Sequence, residues 1–582
     1  MAGTVACLAR AAACAAALLA APAFAQETQR PNIVLIVIDD AGFTDLGAYG
    51  GEARTPNIDA LAARGAMFSR YYTSPLCAPS RAMLLTGLDN HRTGVATIPE
   101  VLPPAQRGRR GYAMHLEPGV STIAERLRQN GYRTYITGKW HLGHDAGALP
   151  NDHGFDRSFV LDASGADNWE ERPYMPYNDH APWFEDGAPA HLPADFYSSQ
   201  FIVDRMIGYL GEESGEHPFF AYLAFQAVHI PVQAPREFTD HYAGVYDDGW
   251  EHARAERWRR AQALGLLPAD ATPGPPHPDL RPWSGLSADE RALYARSMSV
   301  HAGMLEAMDH HIGRLIAYLQ SRGLAENTLF VVTSDNGPEP SNPLHERGFA
   351  QWMQIQGYTR RLENLGERRS YVFIGPEWAN ATATGALFKF YASEGGLHVP
   401  LIMAGPGIAR QRVNARAFVV DVAPTLLERA GVAAGEDMDG VSMNPALTGA
   451  ASLRGADAPV GIEVSGNAAL FRGDYKLVRN LPPYGDGAWR LFNIAADPGE
   501  TTDLTAQMPE LAAAMRADYA AYAAANGVLE MPAGYDVHRQ VARNALAMQV
   551  RYYWWALLLA ALAALAIIFA SAAFAWRMIR RR

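Results

Sequence analysis

The chemistry-bearing residues of this chain sit where buried strands end. The run NIVLIVI at Asn32–Ile38 is continuously apolar and rich in β-branched residues, the pattern of a strand covered on both faces. It empties into Asp39-Asp40-Ala41-Gly42. A strand at 133–137 hands on Gly138-Lys139-Trp140-His141, and one at 218–224 hands on Ala227-Val228-His229. A fourth, at 328–333, hands on Ser334-Asp335-Asn336-Gly337. Four such ends can meet at one edge of one sheet, the edge at which open α/β sheets hold ligands. Carboxylates, cations and imidazoles gathered there suit proton transfer and the holding of charge. Cys77-Ala78-Pro79-Ser80-Arg81, followed by Leu84-Leu85-Thr86-Gly87, adds a sulfur. On a helix beginning near Pro79, Arg81 lies four residues on from Cys77 and shares its face.

Helical patterns separate these strands. One runs from Asn57, a plausible N-cap, to Phe68; another follows Ser121 and Thr122; a long one spans 297–322 and stops at Gly323. Alternation of this kind predicts an α/β fold, a doubly wound, mixed but mostly parallel sheet. Three stretches rich in Pro, Gly and aromatic residues interrupt the order, at 162–195, 242–286 and 339–388. They read as functional rims, and Tyr358, Tyr371 and Trp378 in the third are candidates to stack on a substrate ring. Short strand-like runs beyond 451 and an Ala-rich helix at 509–525 predict a smaller C-terminal α+β subdomain, 451–530, after a main domain of 26–450.

In this order the pieces resemble the type I sulfatases, the formylglycine-dependent, arylsulfatase-like enzymes of the alkaline phosphatase superfamily. The resemblance rests on C-x-P-S-R at Cys77, on NIVLIVIDDAG at 32–42, TPNID at 55–59 and GKWHLG at 138–143. It continues through SDNG at 334–337, EGGLHVP at 394–400, DVAPTL at 421–426 and LFNIAADPGETTDL at 491–504. It implies that a maturation enzyme oxidises Cys77 to Cα-formylglycine. The hydrate of that aldehyde carries two hydroxyls on one carbon, one to attack sulfur and one to expel sulfate. Carried over by position, it implies a Ca²⁺ site, with Mg²⁺ possible, formed by Asp39, Asp40, Asp335, Asn336 and residue 77. Such a set suits a hard cation that takes ~6–8 oxygen ligands. It further implies Arg81 holding the hydrate, Lys139 and Lys389 clamping sulfate, and His141 as the base that releases it. His229 becomes the acid at the leaving-group oxygen, a task suited to an imidazole. His398 stands where the family's E-G-G-x-R-x-P often carries arginine, which puts a structural salt bridge in doubt. The implied activity is hydrolysis of an aryl-type sulfate monoester, on a small molecule or a sugar.

Composition supports a packed globule: 49% of the 582 residues are hydrophobic and 19% charged. A net charge of -11 argues against nucleic acid as a partner, and the one basic cluster, at 107–110, reads as a solvated loop. Residues 1–25 read as a signal peptide, with Ala23-Phe24-Ala25 as cleavage site. It contains Cys7 and Cys14, so Cys77 alone would remain and no intramolecular disulfide is expected. After a linker at 531–551, residues 552–576 are free of charge and long enough to span a bilayer. The arginines of the 577–582 tail predict a cytoplasmic C-terminus and a single-pass inner-membrane protein, its body periplasmic or extracellular. Two rival readings are a phosphonate monoester or phosphodiester hydrolase with the same motif, and a non-catalytic anchored binding protein that keeps Cys77 as a thiol.

Overall fold

The computed structural model describes residues 30–212, 217–455 and 457–580; the expected signal peptide and the last two arginines lie outside them. In chain order the main sheet comprises β1 (Asn32–Ile38), β2 (Ala66–Phe68), β4 (Arg133–Lys139), β5 (Arg157–Leu161), β6 (Trp183–Glu185), β7 (Ala188–Pro189), β8 (Phe219–Ala224), β9 (Thr328–Ser334), β10 (Leu401–Ala404) and β11 (Gln411–Val413). β3 (Tyr71–Tyr72) and β12 (Ala417–Phe418) pair separately. The order across the main sheet is β11-β2-β10-β9-β1-β8-β4-β5-β6-β7. Its middle, β9-β1-β8-β4-β5, is parallel throughout, and β10 and β6 run antiparallel at the flanks.

β1 shows why the sheet is covered on both faces. Val34, Ile36 and Ile38 enter one core, with Ile202 and Met206 of the Ser198–Glu212 helix and Met304 and Leu315 of the Ala288–Ser321 helix. Ile33, Leu35 and Val37 enter the opposite core, with Leu85 of the Cys77–Thr86 helix, Leu127 of Ile123–Gln129 and Leu426 of Val422–Arg429. Successive strand side chains point to opposite faces, so a strand apolar at every position must be buried on both. The expected doubly wound α/β architecture is the observed one.

Some boundaries differ from the sequence reading. The first helix is Pro56–Arg64, with Thr55 at its N-cap position, and 66–68 is a strand. Asn57 therefore caps nothing; its amide and backbone N–H bond the carboxylate of Asp309 on the long helix. That helix begins at Ala288, nine residues before the expected start, behind a Ser287–Glu290 capping box. The 531–551 stretch read as a linker is helical from Val537. The aromatics Tyr358, Tyr371 and Trp378 are buried core residues, packed on Phe349, Trp352, Trp250 and Trp283, and so are unavailable for stacking on a substrate. His311 on the long helix is buried against Tyr197.

Beyond the main sheet, β13 (Val460–Val464), β14 (Asn467–Arg472), β15 (Tyr475–Arg479) and β16 (Trp489–Asn493) form an antiparallel sheet, covered by the Pro509–Asn526 helix. Alternation again divides the faces: Ala468 and Leu470 pack on that helix, while Ala469 and Phe471 join the main core. Two buried charge clusters tie this sheet to the α/β body. Lys476 on β15 donates to Glu394 (2.9 Å) and Glu500 (2.8 Å). It supplies the cation that His398 does not; the imidazole instead stacks on Phe43, donates from Nε2 to the Ser69 carbonyl at 2.8 Å, and holds Nδ1 3.5 Å from the Thr384 hydroxyl. The other cluster is His91, whose Nδ1 lies 2.9 Å from Asp89 and whose Nε2 lies 2.7 Å from Glu463 on β13.

The last helix, Val537–Arg580, breaks at Tyr553, where φ is -110 and ψ 16. Before the break Val537, Gln540 and Asn544 are buried against the body. After it Trp554, Trp555, Leu557, Ile567 and Phe574 are all exposed. Its length and composition make it a candidate membrane span.

Burial works against charge on His91, but Asp89 and Glu463 outweigh it and hold the imidazole at about 10. A pKa raised on folding contributes stability that is complete below the unfolded value of ~6.5 and is lost as pH rises through the folded one. The melting temperature should therefore fall between pH 7 and 10, and a His91→Gln variant should lose most of that slope. Thermal melts of both proteins across this range check it.

Candidate active site

All the strand-end residues named from the sequence arrive at one place. Asp39 and Asp40 follow β1, Asp335 and Asn336 follow its neighbour β9, Lys139 closes β4 and His229 lies in the turn after β8. Parallel pairing of these strands puts their carboxyl ends on one edge of the sheet. Cys77 begins the Cys77–Thr86 helix, two residues earlier than expected, and Arg81 is on the same face one turn later.

The ion pairs interlock. Arg81 donates from Nε to Asp335 Oδ2 (2.8 Å), with Nη2 2.7 Å from the same oxygen, and from Nη1 to the Lys139 carbonyl (3.0 Å). Lys139 Nζ donates to Asp39 Oδ2 at 2.7 Å. Lys389 Nζ donates to Asp40 Oδ2 at 2.9 Å and lies 3.1 Å from Glu339. Asn336 donates from Nδ2 to Asp40 Oδ1 (2.6 Å). His229 Nε2 is 3.7 Å from Asp40 Oδ2, and its Nδ1 lies 2.7 Å from the Ile230 carbonyl. A carbonyl only accepts, so Nδ1 carries a hydrogen and Nε2 faces the site. Cys77 Sγ is 3.3 Å from His141 Nδ1.

His141 does not reach the site as an extended neighbour of Lys139. Its φ is 58, a left-handed kink, and this turns the imidazole to Cys77 while Lys139 points to Asp39. Asp40 is also left-handed, at φ 64, which lets adjacent aspartates serve different cations. Non-glycine residues seldom adopt this conformation, and where they do the surrounding contacts hold them there. Asp40 is held by its own N–H donating to Asp335 Oδ1 at 3.2 Å.

Burial sets the protonation states. The Asp39 carboxyl is pushed up to about 8 by burial and by Asp335 and Asp40, against the pull of Lys139 and Arg81. Burial also pushes Asp40 up, but Lys389, His229 and Lys139 outweigh it and hold that carboxyl at about 2. The imidazoles of His141 and His229 sit well below their ordinary value, through burial first and then through the lysines. Burial raises the Cys77 thiol to about 11, so the unmodified sulfur is no thiolate at neutral pH.

These residues fit a divalent cation. Asp39, Cys77 and Asp335 each offer an atom within 4.8 Å of the others. Asp39 Oδ1 and Asn336 Oδ1 are buried acceptors without a donor among the described residues, a costly arrangement unless something positive lies between them. Hard oxygen donors and no cysteine–histidine cage suit Ca²⁺ or Mg²⁺. Asp39, whose carboxyl is pushed up to about 8, would give up its proton to a cation bound beside it.

Sequence reasoning missed Glu339, Glu100 and Tyr174. Glu339 follows Asn336 by three residues in SDNGPE, and with Asp40 and His229 it forms a second acidic cluster within 4.8 Å. Tyr174, from the first of the three insertions, packs edge-on against His229 at 5.2 Å. Glu100 is buried, and Lys389 and Lys139 both stabilise its charge although burial raises its carboxyl overall. No spacing in the chain announces the last two.

Comparison with known proteins is consistent with this geometry. The family model described as sulfatase matches residues 31–432, and that of the N-sulphoglucosamine sulphohydrolase C-terminal region matches 385–521. The arylsulfatase of Klebsiella aerogenes is 36% identical over 425 residues, 71% of this chain and 90% of that protein. An uncharacterised sulfatase of Schizosaccharomyces pombe is 32% identical over 531 residues, 87% of this chain and 96% of its own. The crystal structure of Ps i-CgsB in complex with k-i-k-neocarrahexaose shares the fold, with a TM-score of 0.62 at 23% identity over 89% of this chain and 98% of that one. With a family model covering residues 31–432 and a C-x-P-S-R cysteine seated among buried carboxylates and lysines, this chain belongs to the sulfatase family and is a hydrolase of sulfate esters.

Proposed function

We propose that the chain is a membrane-anchored arylsulfatase whose nucleophile derives from Cys77 and whose catalytic body faces the periplasm or exterior. The observation that carries this is Cys77 itself: a buried thiol, held protonated, beside Lys139, Lys389 and an imidazole. As a thiol it has no reactivity to match such surroundings. Converted to formylglycine, residue 77 would supply a hydrated aldehyde with two hydroxyls, one for attack and one for release of sulfate. Ca²⁺, held by Asp39, Asp40, Asp335 and Asn336 with residue 77, would supply positive charge to the sulfate oxygens.

The chain's own residues divide the remaining tasks. Lys139, held by Asp39, and Lys389, held by Asp40, bind the anionic sulfate, whose charge builds up during attack. Arg81 is committed to Asp335 and the Lys139 carbonyl, so it fixes the frame and keeps residue 77 facing inward. His141, neutral and in contact with position 77, is ready to accept a proton there. His229 presents Nε2 to the site from a ring fixed by the Ile230 carbonyl and by Tyr174. It serves the leaving-group oxygen once an anion in the pocket offsets the lysines that keep it neutral. The aryl preference is supported by the Klebsiella arylsulfatase; the anchor is supported by the exposed apolar face after Tyr553. A cytoplasmic C-terminus is supported by Arg577 and Arg580, through the bias of basic residues toward that side.

Four outcomes are expected. Cys77→Ala should abolish turnover of nitrophenyl sulfate and shift stability by no more than ~1 kcal/mol. In the active protein, peptide mass spectrometry should find residue 77 about 18 Da lighter than cysteine; an unshifted peptide in fully active enzyme would falsify the nucleophile. Asp335→Ala should remove the rise in melting temperature that Ca²⁺ gives the wild type, since a ligand stabilises the state that binds it. His229→Ala should slow alkyl sulfates at least tenfold more than nitrophenyl sulfate, because a good leaving group needs little protonation. Parallel rates on aryl sulfate and aryl phosphonate test the wider reading: faster phosphonate cleavage would displace it.

A further inference from the structure

A cavity of about 340 Å³ lies outside the residues assigned to turnover, between the 99–114 loop and the last turns of the C-terminal helix before its break. Leu102 and Met114 of the loop and Met548 of the helix give it an apolar wall, while Arg107 and Arg551, one from each side, bring charge to it.

The two walls are fixed to one another. Asn544, 2% exposed, donates from Nδ2 to the carbonyls of Pro99 (3.1 Å), Glu100 (2.9 Å) and Leu102 (3.0 Å). Its Oδ1 accepts from Arg107 Nη2 at 3.0 Å. The Leu529 N–H donates to the Tyr112 hydroxyl (2.8 Å), and the Tyr535 hydroxyl donates to the Val101 carbonyl (2.9 Å). The cavity is thus a preformed feature of the packed body rather than a gap beside a loose helix.

Its charge and position point to a ligand. The chain carries a net charge of -11, yet the two charged residues lining this cavity, Arg107 and Arg551, are both arginines, and both are exposed. Arg107 is bonded to a neutral amide and has no carboxylate partner among the described residues. Asp179, whose charge reaches Tyr552, is itself bonded to His180 at 2.5 Å. Two residues past Tyr552 the helix exposes Trp554 and Trp555, the aromatic pair that marks a lipid–water boundary, and apolar surface continues from there. An apolar wall leading to that boundary, with two arginines at its mouth, matches an acyl chain joined to a phosphate. Guanidinium groups bind such an oxyanion through paired N–H donors.

We propose that this cavity is a binding site for an anionic phospholipid, with the headgroup phosphate between Arg107 and Arg551 and an acyl chain along Leu102, Met114 and Met548. The proposal rests on the membrane-anchor reading above and extends it from a span to a specific lipid contact on the catalytic body.

The test uses the full chain in detergent micelles, offered phosphatidylglycerol or phosphatidylcholine and examined by native mass spectrometry. Retention of phosphatidylglycerol should exceed that of phosphatidylcholine about tenfold. Arg107→Ala/Arg551→Ala should erase the preference while leaving nitrophenyl sulfate turnover unchanged. Should the double variant fold poorly, Arg551→Gln alone, at an exposed position, should reduce the preference at least threefold. Equal retention of the two lipids, or a preference that survives these substitutions, overturns the proposal. So does displacement of phosphatidylglycerol by millimolar inorganic phosphate, which would mean a bare oxyanion site with no part played by the chain wall. Failure of the anchor reading is seen separately, as full-length protein in the soluble fraction of lysed cells without detergent.

Discussion

Everything at the carboxyl edge of the sheet depends on how three buried aspartates are neutralised. Asp39, Asp40 and Asp335 are at most 2% exposed, and each has its own cation: Lys139, Lys389 and Arg81. Taking such charges out of water costs several kcal/mol apiece unless partners and hydrogen bonds compensate. Compensation is incomplete: Glu339 shares Lys389, and Asp39 Oδ1 and Asn336 Oδ1 have no donor among the described residues. Those open acceptors give the cluster the makings of a divalent-cation site.

The same constraint explains the strained turns. Adjacent aspartates in an extended strand would point to opposite faces of the sheet. The left-handed Asp40 redirects the chain so that both carboxylates meet cations on one side, and the left-handed His141 does the same for an imidazole two residues beyond Lys139. Strain is placed where the chemistry is, and the parallel pairing of β1 with β8 and β9 holds it there.

Around this centre the insertions act as architecture. Tyr358, Tyr371 and Trp378 pack into the core beside the long helix, so any contact with a substrate's leaving group must come from other residues. The C-terminal sheet is fastened by His91 and Lys476, two cations buried between carboxylates. The last helix is fastened by Asn544, which bonds the carbonyls on both sides of Val101. The first turns of that helix and the catalytic body therefore form one packed unit, through Val537, Gln540 and Asn544.

The amino-acid order by itself determined the doubly wound sheet, because strands apolar at every position can be buried only between two layers. It also determined which strand ends carry charge, since a run such as NIVLIVI tolerates no polar residue until it leaves the sheet. Helix limits were less legible: Asn57 has the right type for a cap, yet Asp309, 252 residues away, claims its amide. Three matters were decided only by tertiary structure. Lys476 replaces the cation expected near His398; Glu100 and Tyr174 join the site; and the stretch read as a linker becomes a helix locked to the body. Each depends on contacts between residues far apart in the chain, and no local periodicity or spacing encodes a distance of that kind.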